Sequence, residues 1–399
     1  MELSQVRRWI ETQQADFLAL LQLLVEMNTF TANTEGVDEA IGVISVAADR
    51  MDFQVEKVLE RHRLIKAGNG CGPRVLLISH VDTVHPLDAD FLRYEPQTEG
   101  YVRGPGIGDM KGGLLMGLWT LKAISELCTD FDVQLVVSVD EEKGSPTLEK
   151  WYATNQPGAD YALGLEPNFP QGTLTPDVVL GFVEQRKGCG RVDFKIHGKA
   201  AHAGGAWQDG INAIEAAAHR ILKIQALTDL EQGITTSVGL VHGGTAANTV
   251  AEFCEVAVDF RFVTQKAGRA THDAIKRIVE DCYVFNEGLR MSEAVENFTM
   301  STYLPPMEKT NNQALVALVM HHIERLNLNM KPISRGGGSD ANHISGSGVP
   351  AICGMGAPAE GIHTTQERIL VPRMWDSLEL LISTVYSLVT AEQRGQRPL

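Results

Sequence analysis

RVLLISHVDTVHP, residues 74–86, carries the reading that decides the fold. Its first part, RVLLIS at 74–79, is a short apolar run bounded by Gly72-Pro73 and a polar turn, which predicts a buried strand of a mostly parallel sheet. A second run, VQLVVSV at 133–139, ends in DEEKGS. Between them a helix begins near Lys111 and brings Leu114, Leu115, Leu118 and Leu121 to one side. The β-α-β alternation predicts an α/β domain whose sheet is sandwiched by helices. Ligands of such sheets collect at the carboxyl ends of the strands. His80, Asp82, Glu141 and Glu142 fall at such ends.

Moving outward, residues 3–28 place Leu3, Val6, Trp9, Ile10, Phe17, Leu20, Leu21, Leu24 and Val25 at roughly helical spacing, and a second helix is expected over 37–51. The pattern changes near residue 187. RVDFKIH at 191–197 alternates polar and apolar residues, as a strand with one solvated face does. A helix (210–228), strands (234–242 and 252–263), a helix (268–283) and a strand (293–300) follow. This β-α-β-β-α-β order predicts a ferredoxin-like α+β domain inserted into the first. From about 305 come a helix, the turn RGGGSD at 335–340, a strand near VPAICGM and a terminal helix over 372–393. The expected organisation is therefore a first domain in two parts, 1–186 and 301–399, interrupted by an inserted domain over 187–300.

Composition narrows the function. A chain of 399 residues, 44% hydrophobic and 21% charged, is long enough for a large core and more than one domain. Its formal charge of −15, without a basic run, argues against nucleic-acid or anionic-membrane partners. MELSQVRRWIETQQADF interleaves charged and apolar residues, unlike a signal peptide, and no later stretch predicts a membrane span. The six cysteines are scattered singly with no Cys-x-x-Cys pair, which predicts reduced thiols and a cytoplasmic setting.

The chemistry lies in five separated residues, each after an apolar run or in a glycine-rich turn. They are His80 in SHVDTVHP, Asp109 in GPGIGDMKGG, Glu142 in DEEKGS, Glu166 in LGLEPN and His363 in GIHTTQE. Carboxylates and imidazoles without a thiolate suit zinc, cobalt or manganese, and favour a catalytic over a structural site. Three carboxylates and a hydroxide would balance two zinc ions, so the cluster could be buried almost neutral.

SHVDTVHP, GPGIGDMKGG, VDEEKGS, LGLEPN, HGKAAHAGG, GGTAANTV, VDFRF, RGGGSDA and IHTTQE, in this order, make the chain resemble the zinc-dependent family of carboxypeptidase G, acetylornithine deacetylase, succinyl-diaminopimelate desuccinylase and aminoacylase. The resemblance spans nearly the whole chain and looks closest to glutamate carboxypeptidases. It implies a di-zinc exopeptidase-like catalytic domain and an inserted dimerisation (lid) domain. Asp109 would bridge two zinc ions, His80 and Glu166 completing one site, Glu142 and His363 the other, with a cis peptide after Asp109. Asp82 would accept the second ring N–H of His80. Glu141 would be the general base, and His202, reaching into the partner subunit of a homodimer, would meet the developing oxyanion.

Substrate recognition has more than one reading. On EVAVDFRF, Arg261 shares a face with Asp259 and Glu255, so it either grips a substrate carboxylate, as the resemblance implies, or pairs with Asp259. Asn248 would assist or merely form a turn, and Gly338 would offer a main-chain N–H. Glutamate at position 166 goes, among the relatives, with carboxypeptidases and deacylases rather than aminopeptidases. His85 is expected to be exposed or to line the rim. The implied substrate is a small peptide or N-acyl amino acid with a free carboxylate. A biosynthetic deacylase, or a catalytically silent metal-binding regulator, are the competing readings.

Overall fold

The computed structural model describes residues 2–390, apart from the side chain of Leu3. The chain divides into two compact units: Met1–Gln185 with Met307–Arg335 and Ser339–Leu399, and Arg186–Pro306 with Gly336–Gly338.

The first unit is built on a six-stranded sheet. Its order is Gln54–Val58, His62–Gly68, Asp132–Ser138, Arg74–His80, Tyr161–Gly164 and Ala351–Ile352. The last four strands run parallel and the first two pair antiparallel at one edge. Successive residues of a strand face opposite sides, and here both sides are covered. Val75, Leu77, Val133, Leu135 and Val137 enter a core with helices Val6–Glu26, Gly112–Leu127 and Val371–Thr390. Leu76, Ile78, Val136 and Ala162 enter another with Leu148, Tyr152 and Ile344. A run buried on both faces has no reason to alternate, which is why RVLLIS reads as continuous apolar sequence.

Element ends differ from expectation where side chains intervene. The second helix is Thr34–Asp49, starting earlier than residue 37 because the Asn33 side chain accepts the Gly36 N–H and caps it. The hairpin Gln54–Val58/His62–Gly68 was not anticipated; its first strand is mostly open to solvent, so little hydrophobic pattern marks it. The terminal helix is described as Val371–Thr390, and the expected residues 391–393 lie outside the described residues.

The second unit orders its antiparallel strands Thr235–Gly243, Phe253–Phe262, Gly188–His197 and Ala294–Leu304. Numbered along the chain this is 2-3-1-4, the ferredoxin-like arrangement. Helices Ala213–Gln225 and Gln265–Glu280 pack on one face over Val192, Phe194, Ile196, Val256, Val258, Phe260 and Phe262. A small hairpin, Phe285–Asn286 with Met291–Ser292, precedes a last strand that runs on to Leu304. Among the described residues no helix is long and apolar enough to cross a membrane.

Candidate metal centre

Two parallel strands of the first unit end at one level, and a third ends two residues short of it. His80 pairs in register with Ser138, and Ile78 with Gly164. His80 closes its own strand, the Asp140–Glu142 turn follows the second, and Glu166 follows the third. The fourth contribution is the glycine-rich turn before helix Gly112–Leu127. Gly106 is at φ +66°, and a Cβ there would lie 2.4 Å from Thr83 Cγ2, so only glycine lets the turn pass. Beyond it Asp109 adopts φ −116°, ψ 88°, and its peptide to Met110 is cis.

These elements converge. His80 Nε2 lies 3.2 Å from Asp109 Oδ1, 3.8 Å from Glu166 Oε1 and 4.0 Å from Glu141 Oε2. His363 Nε2 lies 3.1 Å from Asp109 Oδ2 and 3.4 Å from Glu142 Oε2. The two oxygens of one carboxylate thus meet two different imidazoles. Around a tetrahedral zinc with bonds of roughly 2.0–2.2 Å, ligand atoms stand about 3.3–3.6 Å apart. The separations in the cluster, 3.1 to 3.8 Å among the five candidate ligands, bracket that spacing. The donor set therefore fits a pair of divalent cations.

Electrostatics agrees. Burial opposes charge on His80, yet hydrogen bonds with Asp109 and Asp82 and the charges of Glu141 and Glu166 hold its pKa well above the usual imidazole value. Hydrogen bonds to Asp109 and Glu142 push His363 up to about 10. Burial pushes the Glu141 carboxyl upward and the charge of Glu166 adds to it, against the opposing pull of His80. Asp109 goes the other way, because hydrogen bonds from His363 and His80 outweigh the burial that would raise it. Surplus negative charge of this kind is what cations neutralise.

Asp82 offers His80 Nδ1 two acceptors. The nearer acceptor for His80 Nδ1 is the Asp82 main-chain carbonyl at 2.9 Å; the carboxylate stands at 3.5 Å. That wholly buried carboxylate accepts Thr31 Oγ1 at 2.8 Å and the main-chain N–H groups of Glu141 and Glu142 at 3.2 and 3.3 Å. It ties the end of one strand to the turn that carries two acidic groups.

His85 is a correction: it is 6% exposed rather than at a rim, because its Nε2 meets Glu367 Oε2 at 3.0 Å. Glu367 itself was missed, although it ends the IHTTQE motif. So was Lys111, wholly buried, whose Nζ donates to the Met27 carbonyl at 3.0 Å and whose pKa burial pushes down to about 7 against the charge of Glu367. Asp340, in the RGGGSDA motif, accepts from Ser145 Oγ and from Tyr152 Oη at 3.2 Å; burial raises it to about 6. Only its burial beside Tyr152 and Ser145, not its sequence, marks it.

The remaining candidates belong to the second unit. His202 is exposed, and its Nδ1 accepts the N–H groups of Gly204 and Gly205 at 3.2 and 2.9 Å. The Asn248 carbonyl accepts the Ala203 N–H at 2.9 Å, so the His202 and Asn248 loops are joined. Arg261 pairs with Asp259 through two hydrogen bonds, Nε–Oδ1 at 2.9 Å and Nη2–Oδ2 at 3.0 Å. The Gly338 carbonyl accepts Arg186 Nη1 at 3.1 Å.

A sequence model of peptidase family M20/M25/M40 matches residues 76–391. Carboxypeptidase G2 of Pseudomonas sp. (strain RS-16) is 26% identical over 363 residues, covering 88% of this chain and 84% of that protein. Acetylornithine deacetylase of Klebsiella pneumoniae (strain 342) is 26% identical over 270 residues, covering 61% of this chain and 67% of that protein. Among solved structures, aminopeptidase PepT from Bacillus cereus ATCC 10987 superposes with a TM-score of 0.76 at 22% identity, covering 94% of this chain and 98% of that one, a likeness of fold.

Proposed function

The chain belongs to peptidase family M20/M25/M40, and from that premise we propose that it is a two-metal hydrolase releasing a carboxylate-bearing amino acid, glutamate above others, from a peptide or N-acyl group. The observation that carries the reading is the Asp109 carboxylate, with His80 at one oxygen and His363 at the other.

In this reading Asp109 would serve both ions, with His80 and Glu166 holding one and Glu142 and His363 the other. The donor set suits zinc, with cobalt or manganese as substitutes. When bound, such ions would supply Lewis acidity for a water and for the scissile carbonyl. Glu141 takes the proton of the attacking water and returns it to the leaving amine, a task suited to a carboxyl that burial pushes upward. Asp82 keeps the Glu141–Glu142 turn at the strand ends.

From the second unit His202 would donate to the developing oxyanion, across the interface of a homodimer. Arg261 would grip the substrate carboxylate, assisted by Asn248 and the Gly338 N–H. Because Arg261 Nε and Nη2 hold Asp259, a substrate would have to share the guanidinium or displace that pair. We assign the protein to the cytoplasm, a reading its six cysteines, none in a disulfide, support.

The likeness to acetylornithine deacetylase favours a second reading, a biosynthetic N-acyl-amino-acid deacylase with the same machinery. A silent metal-binding regulator is disfavoured, since metal binding alone gives no reason for Glu141 beside the ligands. Turnover of N-acyl-glutamates against N-acyl derivatives of ornithine, diaminopimelate and neutral amino acids tests the assignment. The proposal expects the highest kcat/KM for glutamate; equal or better turnover of the others would overturn it in favour of the deacylase.

A further inference from the structure

We propose that Glu367 is a positioning residue that clamps the turn carrying Asp109 and so aims the Asp109 carboxylate between the two cation sites. The inference rests on reading Asp109 as the ligand shared by both.

Glu367 Oε1 accepts the main-chain N–H groups of Gly108 at 2.8 Å and Asp109 at 3.0 Å, and Oε2 accepts that of Gly106 at 3.1 Å. His85 Nε2 reaches Oε2 at 3.0 Å, and the Glu367 carbonyl accepts the Gly104 N–H at 3.2 Å. The residue is 1% exposed, so no solvent competes for these bonds. Buried N–H groups need acceptors, and a turn with Gly106 at φ +66° and Asp109 outside helical geometry leaves those of Gly106, Gly108 and Asp109 without helical partners of the usual kind. One carboxylate supplies both its oxygens to them as hydrogen-bond acceptors. The fit is close: a Cβ on Gly108 would lie 2.3 Å from Ala359 Cβ and 3.5 Å from Glu367 Oε1.

The chain order makes the clamp specific to the metal centre. His363, which meets Asp109 Oδ2, lies in the same GIHTTQE segment, folded by bonds from Thr364 N–H to the Gly361 carbonyl and from Glu367 N–H to the Thr364 carbonyl. The one segment therefore presents an imidazole to the Asp109 side chain and a carboxylate to its main chain. Groups that orient ligands from outside the coordination shell typically alter metal affinity by about 10–100-fold when removed.

The test loads the full-length protein, Glu367→Gln, Glu367→Ala and His85→Asn with cobalt. It measures affinity by chelator competition, the visible absorption spectrum of bound cobalt, and the unfolding temperature of the metal-free protein. The clamp predicts that Glu367→Ala weakens at least one ion by about 10–100-fold and shifts the spectrum, with Glu367→Gln in between. Should Glu367→Ala fail to fold, a weakened affinity and shifted spectrum in Glu367→Gln support the clamp. Wild-type affinity and spectrum in every variant that folds would overturn it, as would a lower unfolding temperature with both unchanged, which marks a purely structural residue. Wild-type protein binding fewer than two ions would instead overturn the shared-ligand reading of Asp109, and the clamp with it.

Discussion

Glu141 and Glu142 are neighbours in the chain whose carboxylates face different histidines: Glu141 Oε2 stands 4.0 Å from His80 Nε2, Glu142 Oε2 3.4 Å from His363 Nε2. The turn aims two adjacent acids at two different imidazoles. Glu141→Gln should keep its metal and lose turnover by about 10²–10⁴-fold, the share typical of a positioned acid–base group. Metal analysis beside kcat checks this, and near-normal kcat would remove Glu141 from the mechanism.

Asp82 accepts the main-chain N–H groups of both acids, so its loss should be felt at the metals without any direct contact. Asp82→Ala is expected to weaken metal binding by about 10–100-fold. Its removal also leaves the hydroxyl of Thr31, which donates to the same carboxylate at 2.8 Å, with the Thr83 carbonyl at 3.4 Å as its remaining acceptor. Competition with a chelator gives the affinity; an unchanged value would confine Asp82 to local folding.

Phe17 joins helix Val6–Glu26 to the rest of the core, with its ring 5.0 Å from the rings of both Trp119 and Trp375 in edge-on contact. It is fully buried. Phe17→Ala should cost about 3–5 kcal/mol of stability through lost burial and the cavity left behind. Urea unfolding followed by tryptophan fluorescence reads it out, and a loss under about 1 kcal/mol would mean the helix is not part of the cooperative core.

His322 is buried, with Nε2 2.9 Å from Ser387 Oγ. Burial, then Arg325 and His321, push its pKa from 6.5 down to about 4. Between those values the unfolded chain takes up the proton before the folded one does, so stability is whole above about pH 6.5 and falls as pH drops toward about 4. His322→Gln should flatten part of that fall. Unfolding free energies at about pH 7.5 and pH 5 compare the two proteins; an equal fall in both would exclude His322 as its source.

Of the candidate site residues, His80, Glu141 and Glu142 are legible because their motifs end apolar runs, and a strand end is a place a sequence can mark. RVLLIS and VQLVVSV predict buried strands, and their register then brings His80 and the Asp140–Glu142 turn to one level. Alternation on EVAVDFRF separates Arg261 from the core face, yet leaves open its pairing with Asp259, which is the one the fold displays. Glu367 and His85 were not legible in these roles. Their partners are main-chain N–H groups and each other, 282 positions apart in the chain, and no side-chain pattern announces such a bond. Lys111 hides for a similar reason, since a lysine inside a glycine-rich motif reads as solvated until the turn that carries it is seen packed. The first strand of the hairpin at 54–68 has too much exposure for its alternation to show.

The central claim, that Asp109 is shared by two divalent ions, is tested most directly by counting cobalt or zinc per chain in wild-type protein and in Asp109→Asn. Two ions per chain, falling to one or none in the variant while the protein stays folded, is the expected result. A wild-type chain that saturates with a single ion, or an Asp109 variant that still holds two with unchanged affinity, would contradict it.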